Sequence, residues 1–346
     1  MEVAIITVYN SLNFGSYWQA RALYEKLRSL GYSPIMVNSK ARSTIKGIIL
    51  PHILAIGKSM LCLRLKKAEF FVKELNSYMT NYANINIINQ SNVDEAAVCI
   101  FGSDEIWNVT RNEMNSHRVL WGEGFEKNRK LSYAPSVNNS SAASLMEFGA
   151  DRYLGQFSAI SVRDEWSKKQ LEECISAKIE KVLDPTLLFD SDYYGSPKKG
   201  LEAGYIALYY FGCTDYEKDK YITVSRLLKK RIVSLGQWLD WCDHCETDLN
   251  PFTYYKDADY VITNTFHGTV FAINYHKNFV VCVNGKRKIE ELLNEFGLCD
   301  RICDNLAENE IIALFSKDIN WDAVDKILLR RRQESERFLI NVLNND

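Results

Sequence analysis

Short apolar runs alternate with longer stretches of helical spacing along most of the chain. Residues 3–8 are apolar apart from Thr7, too few for a helix and flanked by polar positions, so they read as a buried first strand. From 16 to 30 the apolar residues fall at Tyr17, Ala20, Leu23, Tyr24, Leu27 and Leu30, one face of a helix, and Gly31 stands where a left-handed turn would end it. Further strands are expected at 34–37, 96–101, 130–134, 159–162 and 181–183, with a helix near 164–174. A polar stretch rich in Gly, Ser, Pro and Lys follows at 190–204. The alternation then restarts, with strands at 205–210, 231–235, 260–262 and 279–283. Helices are expected near 217–229 and 254–258, after His267, and at 324–343.

Repeated strand–helix units predict an α/β class with parallel sheets wound on both faces. The polar break places a boundary near residue 197. Residues 1–196 then form an N-terminal α/β domain, 197–323 a C-terminal α/β domain, and 324–346 a terminal helix able to pack back on the first. The expected architecture is two Rossmann-like doubly wound parallel-sheet domains facing a cleft, GT-B-like by analogy of fold.

A length of 346 residues suits two domains. With 47% hydrophobic and 25% charged residues the chain is neither disordered nor fibrous. A formal charge of −2 offers no broad basic surface, so no nucleic-acid partner is expected. Nine cysteines are an odd number, and several, such as Cys99 and Cys282, sit inside apolar runs as reduced cytosolic thiols do. The N-terminus has no basic stretch before its apolar run and no small-residue cleavage site, and no run of 18 uncharged apolar residues occurs, so a cytoplasmic location is expected.

One segment departs from this balance. Residues 40–73 hold eight Lys/Arg and one acid, Glu69, a local charge of +7, around a mostly apolar middle at 48–65. It reads either as a helical insertion packed on the first domain or as an interfacial helix touching anionic lipid at the inner face of the membrane.

Several polar motifs follow directly on apolar strands, where open α/β sheets bind ligands. Asn13-Phe-Gly-Ser-Tyr-Trp-Gln19 joins the first strand to the first helix. Gly15 permits close backbone approach, and Asn13 and Gln19 both donate and accept hydrogen bonds. It lacks dinucleotide-binding glycine spacing. Gly102-Ser-Asp-Glu-Ile-Trp-Asn108 offers Ser103 and Asp104 to orient a hydroxyl nucleophile. In Ser161-Val-Arg-Asp164, Arg163 either pairs with Asp164 or Glu165 or forks onto a phosphate or carboxylate. Leu183-Asp-Pro-Thr186 reads as a structural turn. In Val261-Ile-Thr-Asn-Thr-Phe-His-Gly-Thr269 a strand runs through a polar turn into a helix, setting His267 at a helix start, where it reads either as an acid for work near neutral pH or as a satisfied surface or core residue. Trp241-Cys-Asp-His-Cys245 has no second pair at zinc-finger spacing, so no metal is expected. Asp190-Ser-Asp192 lies in the linker and is explained by turn capping.

Taken in order, these motifs resemble the polysaccharide pyruvyl transferase family. The residues that carry the resemblance are Asn13 to Ala20, Gly102 to Asn108, Ser132-Tyr-Ala134, Ser161 to Asp164, Asp184 to Leu188, and Ala258 to Gly268. The resemblance implies transfer of a pyruvyl group from phosphoenolpyruvate, a co-substrate with no further cofactor, onto two hydroxyls of a sugar. The acceptor would be a cell-surface polysaccharide or its lipid-linked precursor, and the product a cyclic ketal. It puts His267 in the acid or phosphate-binding place and Arg163 in that of the phosphoenolpyruvate-binding arginine, beside Thr265, Phe266 and Gly268. Some members carry Arg-Leu-His where this chain has Thr265-Phe266-His267, and Lys286 or Arg287 is expected to replace that cation. Asp104 serves the reacting hydroxyl, and Asn13, Gly15, Gln19 and Ser103 line the acceptor side. Two other readings stand beside this one: a GT-B-type glycosyltransferase using a nucleotide sugar, and a non-catalytic carbohydrate-binding protein.

Overall fold

The computed structural model describes residues 1–344 except 12, 39–44, 84, 113–116, 197–200, 249 and 306, and omits the side chains of 45–48 and 81–83. The boundary expected near 197, and Lys40 and Arg42 of the basic segment, lie outside the described residues. The chain divides into two compact units. The first comprises Met1–Ile48, Asn81–Leu188 and Leu329–Asp346, and the second Ile49–Thr80 and Phe189–Leu328.

The first unit is built on seven parallel strands: β1 (Glu2–Ile6), β2 (Ser33–Asn38), β3 (Ile87–Asn89), β4 (Val98–Phe101), β5 (Lys130–Ser132), β6 (Phe157–Val162) and β7 (Ile179–Lys181). Their order is β3-β2-β1-β4-β5-β6-β7. The chain builds outward from β1 to β3, then returns to lay β4 on the other side of β1, with Val3 opposite Val98 and Ile6 opposite Phe101. The seam between β1 and β4 is therefore the point where strand order reverses. Beyond the first residue of β1 every position is buried, as a sheet covered on both faces requires.

Helix α1 (Phe14–Ser29) starts where the Asn13 side chain accepts the Gly15 amide at 3.0 Å and stops at Gly31, whose φ of +89° no β-carbon-bearing residue adopts cheaply. The core beneath β4 centres on Trp107, stacked on Trp121 at 5.5 Å with its indole N–H donated to the Leu120 carbonyl. The tryptophan of the 102–108 motif is thus an anchor that holds its loop.

The second unit has five parallel strands, β8 (Tyr205–Tyr209), β9 (Ile232–Leu235), β10 (His244–Glu246), β11 (Ala258–Thr263) and β12 (Asn278–Val281). Their order is β10-β9-β8-β11-β12, so the reversal falls between β8 and β11. The sequence pattern missed β3 and β10, each of three residues and each at a sheet edge.

Helices α2 (Ile45–Leu61) and α3 (Leu65–Ala83) form the basic-apolar segment. It was expected on the first domain, but Ile49–Thr80 belongs to the second unit. The reason is side-chain chemistry at the β9–β10 connection. Phe70 meets Trp238 edge-on at 5.7 Å, Lys67 lies 3.5 Å from Asp240, and Lys73 lies 3.7 Å from Glu246. Within the Trp241–Cys245 motif, Cys242 to Cys245 line a cavity of about 330 Å³ with Phe70 and Lys73, and Cys245 Sγ bonds the Leu239 backbone.

The first unit's remaining helices are α4 (Ala142–Phe148), α5 (Ala150–Leu154) and α6 (Glu165–Glu172); the second unit's are α7 (Asp215–Leu228), α8 (Phe266–Asn274), α9 (Arg287–Glu295) and α10 (Glu308–Ser316). The last, α11 (Trp321–Asn344), enters the first unit from Leu329 onward, where Arg332 donates to the Leu187 carbonyl at 2.6 Å. Ser335 Oγ accepts the Leu183 amide at 2.9 Å, so Leu183, expected in a strand, leaves β7 to meet this helix. All nine cysteines are unbridged.

Candidate functional site

In each unit the polar motifs collect at the carboxyl ends of the strands flanking the reversal. In the first unit Thr7, just past β1, donates its hydroxyl to the Ser103 carbonyl at 3.0 Å and ties the two loops together. Gly102 holds φ at +122°, and a β-carbon there would lie 2.2 Å from the Tyr133 carbonyl oxygen, so only glycine lets β4 turn out of the sheet. Ser103 Oγ accepts the Asp104 amide at 2.6 Å, and Asp104 accepts the Glu105 amide at 2.7 Å.

Below this loop lies an ion pair. Arg163, at the end of β6, donates to Asp184 at 3.0 Å, with both side chains 1% exposed. Asp184 also accepts from Ser103 Oγ at 3.4 Å and from the Thr186 amide at 3.0 Å. Burial works against charge on Arg163, but the carboxylates of Asp184, Asp104, Glu105 and Asp164 outweigh it and raise its pKa above the ordinary arginine value. Of the partners open in sequence, Asp164 instead caps α6 by accepting the Ser167 amide at 2.8 Å.

The second unit repeats the plan. The Thr263 hydroxyl, at the end of β11, donates to the Tyr209 carbonyl at 2.7 Å. Asn264 accepts the Phe211 amide at 3.0 Å and donates to the Phe211 carbonyl at 2.8 Å, locking the loop after β11 to the loop after β8. Thr265 caps α8 by accepting the Gly268 amide at 2.9 Å. A β-carbon on Gly268 would lie 2.1 Å from Thr263 Oγ1 and 2.6 Å from Thr265 Oγ1, so the turn closes only around glycine. His267 is buried in the first turn of α8, its ring edge-on to Phe266 at 5.3 Å.

Lys286 reaches in from the loop after β12, its ammonium donating to the Asn264 carbonyl at 2.6 Å. Partial loss of water around that ammonium, with Lys288 nearby, holds its pKa below the ordinary lysine value. Glu217 at the start of α7 faces the same region. Burial opposes its charge, but the Tyr210 hydroxyl and the Thr214 amide and hydroxyl donate to it, and its pKa falls below the usual carboxylate value. A helix start and a histidine after β11, with a cation after β12, make a place suited to a multiply charged anion.

The sequence-derived residues fall into two groups. Thr265, Phe266, His267, Gly268 and Lys286 gather around the start of α8, with Arg287 next in the chain as the exposed first residue of α9. In the first unit Asp104 and the exposed Asn13 stand at the loops, and Gly15 is buried in the first turn of α1. Gln19, Ser103 and Arg163 differ from expectation. Gln19 is fully buried and donates to the carbonyls of Val8 at 3.0 Å and Ser16 at 2.8 Å. Ser103 is fully buried beneath Asp104, and the Arg163 charge is directed at Asp184. These three brace the floor of the loops.

Sequence reasoning read Asp184 only as part of a structural turn and gave no role to Asn264 or Glu217. The spacing Thr214-x-x-Glu217 is a capping-box signal and was available; the other two act through partners 21 and 53 residues away.

The polysaccharide pyruvyl transferase family model matches residues 13–286, a span that takes in every residue of the two groups except Arg287. No curated protein matches the sequence. Among solved structures, the UDP-GlcNAc 2-epimerase of Methanocaldococcus jannaschii superposes at TM-score 0.51 and 9% identity, over 92% of this chain and 93% of that one. An alpha-glucosyltransferase solved with UDP and a 13-mer DNA gives 0.50 at 10% identity, over 98% and 95%. The OtsA apo structure gives 0.50 at 8% identity, over 100% and 99%. At such identities the likeness is one of fold: two Rossmann-like parallel-sheet units of the GT-B class.

Proposed function

The chain belongs to the polysaccharide pyruvyl transferase family, transferases acting on polysaccharide, and from that premise we propose that it moves the pyruvyl group of phosphoenolpyruvate onto two hydroxyls of a sugar, closing a cyclic ketal. The observation that carries this reading is the convergence of the α8 start, His267 and the Lys286 ammonium beyond the seam of β8 and β11. Phosphoenolpyruvate brings a phosphate and a carboxylate, which a helix start and a neighbouring ammonium suit. Lys286 bonds the carbonyl of the residue before Thr265, and so supplies the charge that other members carry as arginine at that turn.

In this reading His267 gives a proton to the methylene carbon of the enol. A sugar hydroxyl adds to the neighbouring carbon and gives up its proton to solvent. The C–O bond to phosphate breaks and inorganic phosphate leaves. A second hydroxyl of the same sugar then adds to that carbon and returns a proton to His267, completing the ketal. Arg163 and Asp184 act as positioning residues that set the loop bearing Asp104. The acceptor is a sugar of a cell-surface polysaccharide or of its lipid-linked precursor.

The test is thermal stabilisation by phosphoenolpyruvate set against UDP-sugars, followed by phosphate release on adding saccharide and detection of the ketal carbon by NMR. Stabilisation by phosphoenolpyruvate with saccharide-dependent phosphate release is expected. Stabilisation by a UDP-sugar alone would replace this reading with a glycosyltransferase. Binding of saccharide with neither donor would leave a carbohydrate-binding protein.

A further inference from the structure

We infer that the α2–α3 hairpin is a docking surface for a bilayer containing anionic lipid, on which it lies in the interfacial plane. The polarity of α2 is turned inside out. Its buried positions include His52 and Ser59, and His52 Nε2 meets Glu74 Oε2 of α3 at 3.0 Å in a side-chain pair largely closed to water. The large apolar residues point the other way: Leu50, Ile53, Leu54 and Met60 are all more than half exposed. At the turn joining the two helices, Leu61 is 87% and Leu63 84% exposed, and Leu65 continues the patch. A contiguous apolar surface of this kind on a globular unit marks a binding face.

The charge around the patch selects the occupant. Lys58 and Lys66 are exposed beside it, Arg64 shares Asp240 with Lys67 at 3.5 Å, and no acidic residue occurs from 40 to 68, in a chain whose formal charge is −2 overall. A second copy of the same patch would set cations against cations. Anionic headgroups satisfy the cations while the leucines enter the acyl boundary. The 17 residues of α2 span about 26 Å at the helical rise, with Lys58 within them, and among the described residues no helix is long and apolar enough to cross a membrane. This inference does not depend on the proposed reaction.

Cys62, exposed between Leu61 and Leu63, provides the probe. With the other exposed thiol removed by Cys299→Ser, an environment-sensitive fluorophore on Cys62 is titrated with vesicles of phosphatidylcholine alone and of phosphatidylcholine with phosphatidylglycerol, and unlabelled protein is co-sedimented with the same vesicles. Binding and a blue shift are expected only with the anionic lipid at low salt, and both should disappear at 0.5 M salt, an ionic strength chosen at roughly three times the physiological value. Lys58→Gln and Lys66→Gln should each weaken binding roughly fivefold, and Leu61→Ser with Leu63→Ser should abolish it while thermal unfolding stays unchanged. Failure of the wild type to bind anionic vesicles at low salt overturns the inference. So does salt-insensitive binding to neutral vesicles, or a concentration-dependent dimer in sedimentation that the serine pair dissolves.

Discussion

Replacing Asp184 with Ala tests whether the Arg163–Asp184 pair is the floor on which the Asp104 loop rests. The substitution leaves a guanidinium, 1% exposed, without its nearest counter-ion. It also removes the acceptor for Ser103 Oγ and the cap that holds the Thr186 amide. Breaking a buried pair from one side costs about 3–5 kcal/mol, most of it the burden of an uncompensated charge. Asp104, Glu105 and Asp164 stand close enough to act on Arg163, which places the expected loss toward the lower end. For a unit of this size each kcal/mol lowers the melting temperature by about 2–4 °C, so a loss of about 3 kcal/mol gives a fall of roughly 6–12 °C in the first unit's transition.

Scanning calorimetry at neutral pH follows that transition apart from the second unit's. Arg163→Ala should produce a loss of similar size, and Arg163→Met with Asp184→Leu should recover much of it, because an apolar pair leaves no charge stranded. The reasoning fails if Asp184→Ala melts within 2 °C of wild type, an interval of roughly 1 kcal/mol or less on that scale. It fails equally if Arg163→Ala keeps full stability and loses only phosphoenolpyruvate binding, for then Arg163 is a ligand-facing cation.

Three further outcomes are expected. His267→Asn should abolish turnover with little change in melting temperature and retain stabilisation by phosphoenolpyruvate, as a proton donor's loss requires; Lys286→Met should instead weaken that stabilisation, and in the wild type it should fade as alkaline pH strips the Lys286 proton, earlier than for an ordinary lysine because its pKa is lowered. Gly268→Ala should cost about 1–3 kcal/mol in chemical denaturation and weaken donor binding, since the added carbon displaces Thr263 or Thr265 at the α8 start. Glu217 has a pKa below its unfolded value, so its contribution to stability is full above the unfolded carboxylate pKa and is lost as pH falls through the folded one; melting temperatures taken from pH 7 down to 3 should show a shallower acid loss in Glu217→Gln, and parallel curves would refute this.

Much of the architecture was legible from pattern alone. Buried strands such as residues 2–6 and 258–263, and helices such as 14–29, declare themselves locally, because apolar spacing and an end signal like Gly31 act within a few residues. The same holds for the turn of Thr265 to Gly268, where strand end, cap and glycine are adjacent in the chain. Strands of three residues at 87–89 and 244–246 were hidden, since so short a run carries too little pattern and is held by its neighbour.

What sequence could not decide was partnership at a distance. Arg163 had acids on its own loop, yet Asp184, 21 residues on, takes it, because β6 and β7 are neighbours in the sheet. Gln19 and Ser103 have the chemistry of ligand-binding residues, but whether an amide or hydroxyl faces solvent or a strand end depends on which loop lies over it. The segment at 49–80 interrupts the first unit in sequence and joins the second in space, drawn by Trp238, Asp240 and Glu246. Composition set its charge and apolar content; the buried His52–Glu74 bond settled that its polar side turns inward and its leucines outward.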